Sequence, residues 1–417
     1  MKIRHHEVAK RPRGLLFRAG RKSRFLASLG MTGRGALGLL VMTTCLVMTA
    51  VGTLQAQTKP WSVRVAESVM RRAPVVYEKW DYTAGFVLLG LERVGATTRD
   101  PKYAAYIKKS VDSLVRPDGS ILTYKESEYN LDQINQGRAL FALADRTRDP
   151  RYTRAADALR QQLRTHPRTA EGGFWHKQIY PQQMWLDGLY MAEPFYAEYS
   201  VRKGDTASLN DITKQFLLIA RHLRDPETGL YYHAWDSSKQ QKWADSTTGL
   251  SKNFWGRAVG WYLMAIMDVL DYLPKTHRDR AELIRVAQDL AEAVADVRDP
   301  VTGLWWQVLD QPNRAKNYLE ASASAMFVYS FAKGARLGYL APSYRALADR
   351  AFDSMLTTFV ITNEDGTVSI GGICKVAGLG GNPYRDGTYE YYVSEPVAID
   401  DYKGVGAFIL AAHELGR

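Results

Sequence analysis

Apolar residues recur at the i, i+3, i+4 spacing of amphipathic helices over most of the chain after residue 59. Short loops rich in Asp, Pro and Gly separate these stretches, and the alternation typical of a strand is confined to short pieces such as residues 367–370. The spacing therefore predicts a nearly all-α protein. The predicted helices are residues 62–76, 80–97, 101–115, 132–148, 151–166, 182–203, 206–224, 253–273, 277–298, 319–337, 343–361 and 402–416.

A short segment of the chain is repeated. The run Arg-Asp-Pro-Glu-Thr-Gly-Leu-Tyr-Tyr begins at Arg224, and the similar run Arg-Asp-Pro-Val-Thr-Gly-Leu-Trp-Trp begins at Arg298. Each copy follows one predicted helix and precedes another. Repeats in which a turn connects two helices indicate stacked hairpins that bury their faces on one another. Twelve helices in six hairpins could close into a ring, although the pattern itself does not require closure.

The positive charge of the chain is concentrated in its first 56 residues. The whole chain has 55 Lys and Arg against 44 Asp and Glu, but residues 1–56 carry a net charge of +9 and residues 57–417 only +2. Because the body of the protein is nearly neutral, a broad phosphate-binding face is not expected. We therefore predict no nucleic-acid partner.

The same first residues have the features of a targeting segment. A basic stretch up to Arg34 is followed by an uncharged apolar run from Ala36 to Leu54. We interpret residues 1–56 as a basic leader and signal peptide, and residues 57–417 as one domain. The expected location is the periplasm or the cell exterior, without stable membrane association after cleavage. An uncleaved apolar run would be just long enough to span a bilayer.

No cofactor or metal motif is evident. Cys374 is the only cysteine after the leader, which excludes an internal disulfide and a zinc site built on cysteines. The chain has no Gly-rich phosphate loop, His-Glu-x-x-His motif or Gly-x-Ser-x-Gly elbow, and we interpret the glycines of residues 378–384 as a loop. We therefore expect neither a cofactor nor a metal.

The most informative segment for chemistry is residues 172–191, where Asp187 lies among apolar and aromatic residues at the start of a predicted helix. Because burying a charged carboxylate is costly, such a group must be paired or have a raised pKa. A raised pKa suits a general acid near neutral pH. The alternative is that Asp187 caps its helix or forms a salt bridge there.

A second carboxylate, Asp132, opens the predicted helix 132–148. Because Asp is a preferred N-cap residue, capping is the simpler interpretation when Asp132 is considered alone. The two aspartates become a candidate catalytic pair when they are considered together, since acid–base chemistry on sugars generally uses two carboxylates with separated pKa values.

Two aromatic clusters are typical of a sugar site. One surrounds His233, and in the other Trp255 and Trp261 flank Arg257. Aromatic faces stack on pyranose rings, and Arg binds a carboxylate through two hydrogen bonds. An acidic sugar would suit this combination. The alternative is that the tryptophans belong to the core and that Arg257 is a surface partner.

Together these motifs resemble glycoside hydrolase family 105, the unsaturated rhamnogalacturonyl hydrolases, and more distantly family 88, the unsaturated glucuronyl hydrolases. The similar segments follow the family order over nearly the whole chain after the leader. They are residues 80–82, 131–133, 176–177, 184–188, 232–236, 255–258 with Trp261, and 403–408.

The resemblance implies an (α/α)6 barrel, a six-hairpin toroid, over residues 57–417. It implies hydrolytic removal of a terminal 4,5-unsaturated uronic acid from lyase-generated pectin (rhamnogalacturonan) oligosaccharides by hydration of the C4=C5 bond. By resemblance Asp187 is the general acid/base and Asp132 the second carboxylate of the pocket. The residues that match positions lining the sugar are His233, Arg257, Trp255, Trp261, Trp185, Lys177 and Tyr82.

Three other functions remain open on the sequence. One is an unsaturated glucuronyl hydrolase that acts on glycosaminoglycan fragments. Another is an α/α-barrel lyase or sugar epimerase, which would use a His or Tyr base. The third is a barrel that binds sugar without catalysis.

Overall fold

The computed structural model describes residues 59–417, so the leader predicted over residues 1–56 lies outside the described residues and stays a prediction. Thirteen α-helices occur in the described residues. They are α1 (Trp61–Arg72), α2 (Tyr82–Thr98), α3 (Pro101–Asp112), α4 (Arg138–Thr147), α5 (Pro150–Thr165), α6 (Gly188–Lys203), α7 (Ser208–Leu223), α8 (Gly256–Val269), α9 (Arg280–Asp296), α10 (Ala321–Arg336), α11 (Ser343–Thr358), α12 (Tyr389–Ser394) and α13 (Tyr402–Leu415).

Short strands form three antiparallel pairs, β1 with β2, β3 with β4 and β5 with β6. The alternation at residues 367–370 corresponds to β4. The strands are β1 (Gln183–Trp185), β2 (Ala234–Asp236), β3 (Val360–Thr362), β4 (Val368–Ile370), β5 (Ile373–Cys374) and β6 (Val397–Ala398).

Six of the helices form a closed inner ring. Each of α2, α4, α6, α8, α10 and α13 contacts the next helix in this order, and α13 returns to contact α2. The helices α1, α3, α5, α7, α9 and α11 contact the ring from outside. The predicted (α/α)6 toroid is therefore confirmed. Within residues 59–417, no helix has both the length and the apolar character needed to cross a membrane.

The two rings differ in burial. Every residue of α8, in the inner ring, is buried, as expected for a helix that is covered on all sides. The outer helix α5 buries one stripe, which includes Tyr152, Ala155, Leu159 and Leu163. This one-sided burial accounts for the spacing of apolar residues in the outer helices.

The inner helices begin at the same end of the ring. Each inner helix is connected to the next through an outer helix that returns antiparallel, so all six inner helices run in one direction. Arg257 in the first turn of α8, for example, lies 3.9 Å from Glu320 at the start of α10. Residues that precede inner helices are therefore brought together at one mouth of the barrel.

The repeated segment forms the same turn in both copies. In the first copy the Asp225 N–H donates to the Leu230 carbonyl, and the Asp225 carboxylate accepts from the Thr228 N–H at 2.8 Å. Residues 299–304 make the equivalent bonds. A third copy, at residues 245–250, also forms this turn. This copy is not evident from the sequence because it lacks the Arg and the Pro of the other two copies.

Two predicted helix starts are wrong, and both lie at the mouth. The helix predicted over 182–203 begins at Gly188, because residues 183–185 pair with β2 instead. The helix predicted over 132–148 begins at Arg138, after two short 3₁₀ turns. In both places tertiary contacts override the local preference for helix.

A buried ion-pair network connects the inner helices. Asp268 on α8 accepts from Arg138 of α4 at 2.9 Å and from Lys333 of α10 at 2.7 Å, and all three side chains are almost fully buried. The Tyr329 hydroxyl donates to the same carboxylate at 2.6 Å. Together these cations lower the pKa of Asp268, although its burial alone would raise it.

We expect Asp268→Ala to lower the free energy of unfolding by about 3–5 kcal/mol, because two cations would remain buried without their counter-ion. Urea unfolding of the purified protein measures this change. The matched control is Asp145→Ala, which removes an exposed ion pair with Arg202 and should cost less than about 1 kcal/mol. Equal losses in the two variants would contradict the importance of the buried network.

Candidate active site

The candidate residues come from the mouth of the barrel, where the inner helices begin. Tyr82 is the first residue of α2, Asp187 immediately precedes α6, and Trp255 immediately precedes α8. Asp132 lies in the 3₁₀ turn Leu131–Gln133 that comes before α4. The loop 176–182 supplies Lys177, the strand β1 supplies Trp185, and His233 immediately precedes β2. The last two candidates, Arg257 and Trp261, lie on α8.

Asp187 is not a helix cap, because its side chain makes no capping hydrogen bond with α6. Its Oδ1 is buried and has no hydrogen-bond partner within residues 59–417. Nε2 of His233 lies 3.6 Å from this oxygen. At this distance the two groups attract one another electrostatically without forming a full hydrogen bond. The carboxyl group is thus held in place but remains available to another partner.

The expectation of a raised pKa for Asp187 is wrong. Burial alone raises the pKa of Asp187, but His233 and His176 lower it by a larger amount, so that it lies below its ordinary value. The alternative expectation, that the carboxylate is paired, describes this site better. His233, which lowers the pKa of Asp187, lies on a neighbouring loop rather than on helix α6.

Asp132 is also not a cap, because Asn130 takes that role by accepting a hydrogen bond from the Asp132 N–H. The Asp132 side chain instead accepts from Nζ of Lys177 at 2.6 Å and lies 3.4 Å from Nε2 of His176. Burial raises the pKa of Asp132, but these two neighbours outweigh it and hold the pKa far below its usual range. Asp132 is therefore a permanently ionised group at neutral pH.

His233 is completely buried beside Asp187. Its Nδ1 lies 2.7 Å from the hydroxyl of Tyr392, and its Nε2 faces the carboxyl group. Burial lowers the pKa of His233 despite the attraction of Asp187, so the imidazole is neutral at neutral pH. It contributes polarity to the site rather than a positive charge.

Aromatic rings form a wall around the two aspartates. Trp185 stacks on His176 with ring centroids 4.5 Å apart and on Tyr180 at 4.8 Å. Trp255 lies next to His233, with 4.7 Å between the centroids of the two rings. These are the flat surfaces that a pyranose ring would contact.

A second, small apolar cluster supports this wall from outside the ring. Trp185 packs there with Trp243 and Leu379. Leu379 belongs to the glycine-rich segment 378–384, which is a loop as predicted. Arg385, just after this loop, donates to the Tyr180 hydroxyl at 2.9 Å. The loops that carry Tyr180, Trp243 and Leu379 thus contact one another at the mouth.

Arg257 is buried, so the interpretation of Arg257 as a surface partner is wrong. Its guanidinium donates to the Cys374 carbonyl and, at 3.3 Å, to Ser322 Oγ, and it lies over the Trp255 ring at 4.8 Å. Its Nε has no hydrogen-bond partner in the described part of the chain. Arg257 therefore places a fixed positive charge beside the aromatic wall.

Trp261 occupies a different environment from the other candidates. It is 1% exposed and packs between Phe86 and Tyr190, with ring centroids 4.5 Å and 4.6 Å away. Its edge contact with Tyr82, at 6.2 Å, links it to the mouth. Trp261 thus lies in the core beneath the site, where it supports Tyr82.

Comparison with known proteins agrees with this geometry. The family model for Glycosyl Hydrolase Family 88 matches residues 61–417. A family 105 glycoside hydrolase from C. acetobutylicum ATCC 824, of known structure, is 44% identical, with 86% of this chain and 99% of that chain covered and a TM-score of 0.85. The chain belongs to glycoside hydrolase family 105, which is related to family 88.

More distant relatives have named activities. An unsaturated rhamnogalacturonyl hydrolase from Bacillus subtilis is 28% identical to this family 105 member, over 73% of this chain and 83% of the relative. The unsaturated glucuronyl hydrolase of Bacillus sp. GL1 is 15% identical, with 85% of this chain and 95% of that chain covered and a TM-score of 0.62. The second likeness extends to the fold alone.

Three residues of this family 105 site were missed as candidates. His176 belongs to a recognised segment, but its contact with Asp132 could not be read from the sequence. Tyr392 and Gln307 belong to no recognised motif, and each reaches the site from a distant part of the chain. Within residues 59–417, no cluster of three or more His, Cys, Asp or Glu side chains is arranged to hold a metal ion.

We expect Lys177→Met to lower the free energy of unfolding by about 1.5–3 kcal/mol at about pH 7, because ionised Asp132 would lose its ammonium partner. A depressed carboxyl pKa stabilises the folded state above the unfolded pKa of about 4, and this stabilisation is lost as the pH falls through the folded pKa. Without the ammonium, burial raises the pKa of Asp132 in the variant. The variant carboxyl group therefore takes up a proton, and loses its unpaired charge, at a pH where the wild-type group is still ionised, so the difference between variant and wild type should shrink towards about pH 4.

Urea unfolding at the two pH values measures this effect. The control Lys125→Met carries the same substitution at an exposed pair with Glu128 and should change stability by less than about 1 kcal/mol. A loss in Lys177→Met that does not depend on pH would show that the methionine disturbs packing rather than charge.

Proposed function

We propose that this family 105 protein is a hydrolase that removes a terminal 4,5-unsaturated uronic acid from rhamnogalacturonan oligosaccharides produced by a lyase. The observation that carries the proposal is the environment of Asp187, whose buried Oδ1 has no hydrogen-bond partner among the described residues. Asp132 is the second carboxylate, and its charge is held by Lys177. The activity for which the Bacillus subtilis relative is named, unsaturated rhamnogalacturonyl hydrolysis, supports this choice of substrate.

Asp187 begins the reaction by donating a proton to C4 of the unsaturated sugar. Its low pKa does not prevent this role, because a bound substrate would bring a carboxylate of its own and displace water. Both changes favour the protonated form of a nearby carboxyl group. The ionised Asp132 acts in the same direction, since it raises the pKa of Asp187.

Protonation at C4 leaves an oxocarbenium-like cation at C5 and the ring oxygen. The carboxylates of Asp187 and Asp132 stabilise this cation electrostatically. A water molecule then adds to C5 and returns one proton to Asp187, so the acid is regenerated and one water is consumed. The hemiketal formed at C5 opens to a ketone, which leaves a hemiacetal at C1 that releases the remaining oligosaccharide.

The remaining side chains bind and orient the sugar. Trp185 and Trp255 both lie next to His233, with ring centroids 5.5 Å and 4.7 Å from its ring, and provide aromatic contacts for the sugar. Lys177 and Arg257 supply positive charge for the uronate carboxylate. The cations that bind the uronate carboxylate are thus different residues from the proton donor, Asp187. This arrangement suits a substrate whose C4=C5 bond lies next to an acidic group.

We expect Asp187→Asn to reduce kcat by about 10²–10⁴-fold, because the amide cannot donate and recover the proton. Loss of the ultraviolet absorbance of the conjugated double bond measures turnover of lyase-treated rhamnogalacturonan. The control is Asp349→Asn on the outer helix α11, which should keep wild-type activity. Substantial turnover by Asp187→Asn would favour the lyase or epimerase function, in which a His or Tyr is the base.

The same absorbance assay distinguishes the pectin substrate from glycosaminoglycan fragments. We expect the wild-type protein to turn over lyase digests of rhamnogalacturonan at least about tenfold faster in kcat/KM than digests of chondroitin or heparin. Turnover of the glycosaminoglycan products alone would contradict the proposed substrate. Binding of the oligosaccharide without loss of absorbance would indicate a barrel that binds sugar without catalysis.

A further inference from the structure

Tyr392 connects a distant segment of the chain to the candidate general acid. It is fully buried on α12, and its hydroxyl lies 2.7 Å from Nδ1 of His233, which is 159 residues away in sequence. The other ring nitrogen, Nε2, faces Oδ1 of Asp187 at 3.6 Å. The imidazole therefore lies between a phenol and the carboxyl group that exchanges the proton.

Gln307 holds Tyr392 in this position. Its buried side chain donates from Nε2 to the Tyr392 carbonyl at 3.0 Å and to Sγ of Cys374 at 3.2 Å. Its Oε1 accepts from the indole N–H of Trp255 at 3.2 Å. Because a carbonyl only accepts and an indole N–H only donates, these contacts allow one orientation of the amide. Gln307 thus ties α12 to the start of α8.

The neutral imidazole of His233 carries one proton, and the partner of each ring nitrogen decides where that proton lies. Nε2 faces a carboxylate, which can only accept when it is ionised, whereas Nδ1 faces a hydroxyl, which can donate. Both contacts are favourable only when Nε2 carries the proton and the Tyr392 hydroxyl donates to Nδ1.

We propose that Tyr392 is a positioning residue that fixes the Nε2–H tautomer of His233 and thereby confines the exchangeable proton of Asp187 to Oδ2. This inference rests on the proposed function. With Oδ1 facing an N–H group, Oδ2 is the oxygen that gives its proton to C4 and recovers one from water. In the other tautomer the Nε2 lone pair would draw the carboxyl proton to Oδ1, away from the sugar.

Other charged or titratable groups face His233 and Asp187 from each neighbouring segment, and the variants used in the test must leave these groups in place. They come from α2, the turn before α4, the loop 176–182 and the loop before α12. They are Tyr82, Asp132, His176, Lys177 and Arg385.

The first measurement needs no substrate. The ¹⁵N chemical shifts of histidine side chains distinguish protonated from unprotonated ring nitrogens, and His233→Gln assigns the His233 signals among the eight histidines of the chain. We expect the wild-type protein to show His233 protonated on Nε2 near neutral pH. A His233 protonated on Nδ1 would overturn the proposal.

The second measurement compares Tyr392→Phe with the control Tyr391→Phe. Tyr391 lies on the same helix, but its hydroxyl accepts from the Gly378 N–H at 3.0 Å instead of contacting His233. Without the Tyr392 hydroxyl, Nε2–H becomes a weaker donor and the carboxylate is less stabilised, so the pKa of Asp187 rises. We expect the alkaline limb of the kcat/KM profile to move up by about 0.5–1 pH unit and kcat to fall by about 3- to 10-fold.

Tyr391→Phe should retain both the wild-type pH profile and the wild-type His233 signals. Unchanged His233 signals and an unchanged pH profile in Tyr392→Phe would overturn the proposal. A protein that turns over no unsaturated uronide, but whose His233 tautomer changes in Tyr392→Phe, would contradict the proposed function while supporting the assignment of the tautomer to Tyr392.

Discussion

Closure of the inner ring between α2 and α13 is the constraint on which the rest of the structure depends. The two helices approach so closely that a Cβ on Gly406 would lie 2.6 Å from Cδ1 of Phe86, and one on Gly90 would lie 3.0 Å from Cγ2 of Ile409. A side chain at either position would have to displace Phe86 or Ile409, so these glycines let the two helices pack closely. Because the ring closes, the first residues of all six inner helices meet at one mouth.

The mouth holds its charges in two different ways. Asp132 and Arg257 are each buried beside an opposite charge, Lys177 in one case and Glu320 in the other, so their ionisation is fixed. Asp187 faces a neutral imidazole instead. In the proposed function Asp132 stays ionised while Asp187 exchanges a proton, which is the separation of roles that acid–base chemistry on a sugar uses.

Local patterns predicted the twelve helices of the two rings, but not α12, and they identified several site residues. The apolar spacing predicted the outer helices well, because each buries a single stripe. The conspicuous position of Asp187 among aromatic residues identified it as a candidate. The direction of its pKa shift was predicted wrongly, since it depends on His233, which lies 46 residues further along the chain. The start of α6 was also misplaced, because β1 pairs with a distant strand, and the start of α4 was misplaced because two 3₁₀ turns precede it.

The sequence by itself determined the helical class, the repeated turns and the residue types available for chemistry, because these follow from spacing along a continuous stretch of chain. Only the tertiary structure decided which side chains face one another, as in the contact of Tyr392 with His233 and the amide bridge from Gln307 to Trp255. The physical reason is that hydrogen bonds and electrostatic shifts act over a few ångströms in space, and closure of the ring sets these distances without regard to separation along the chain.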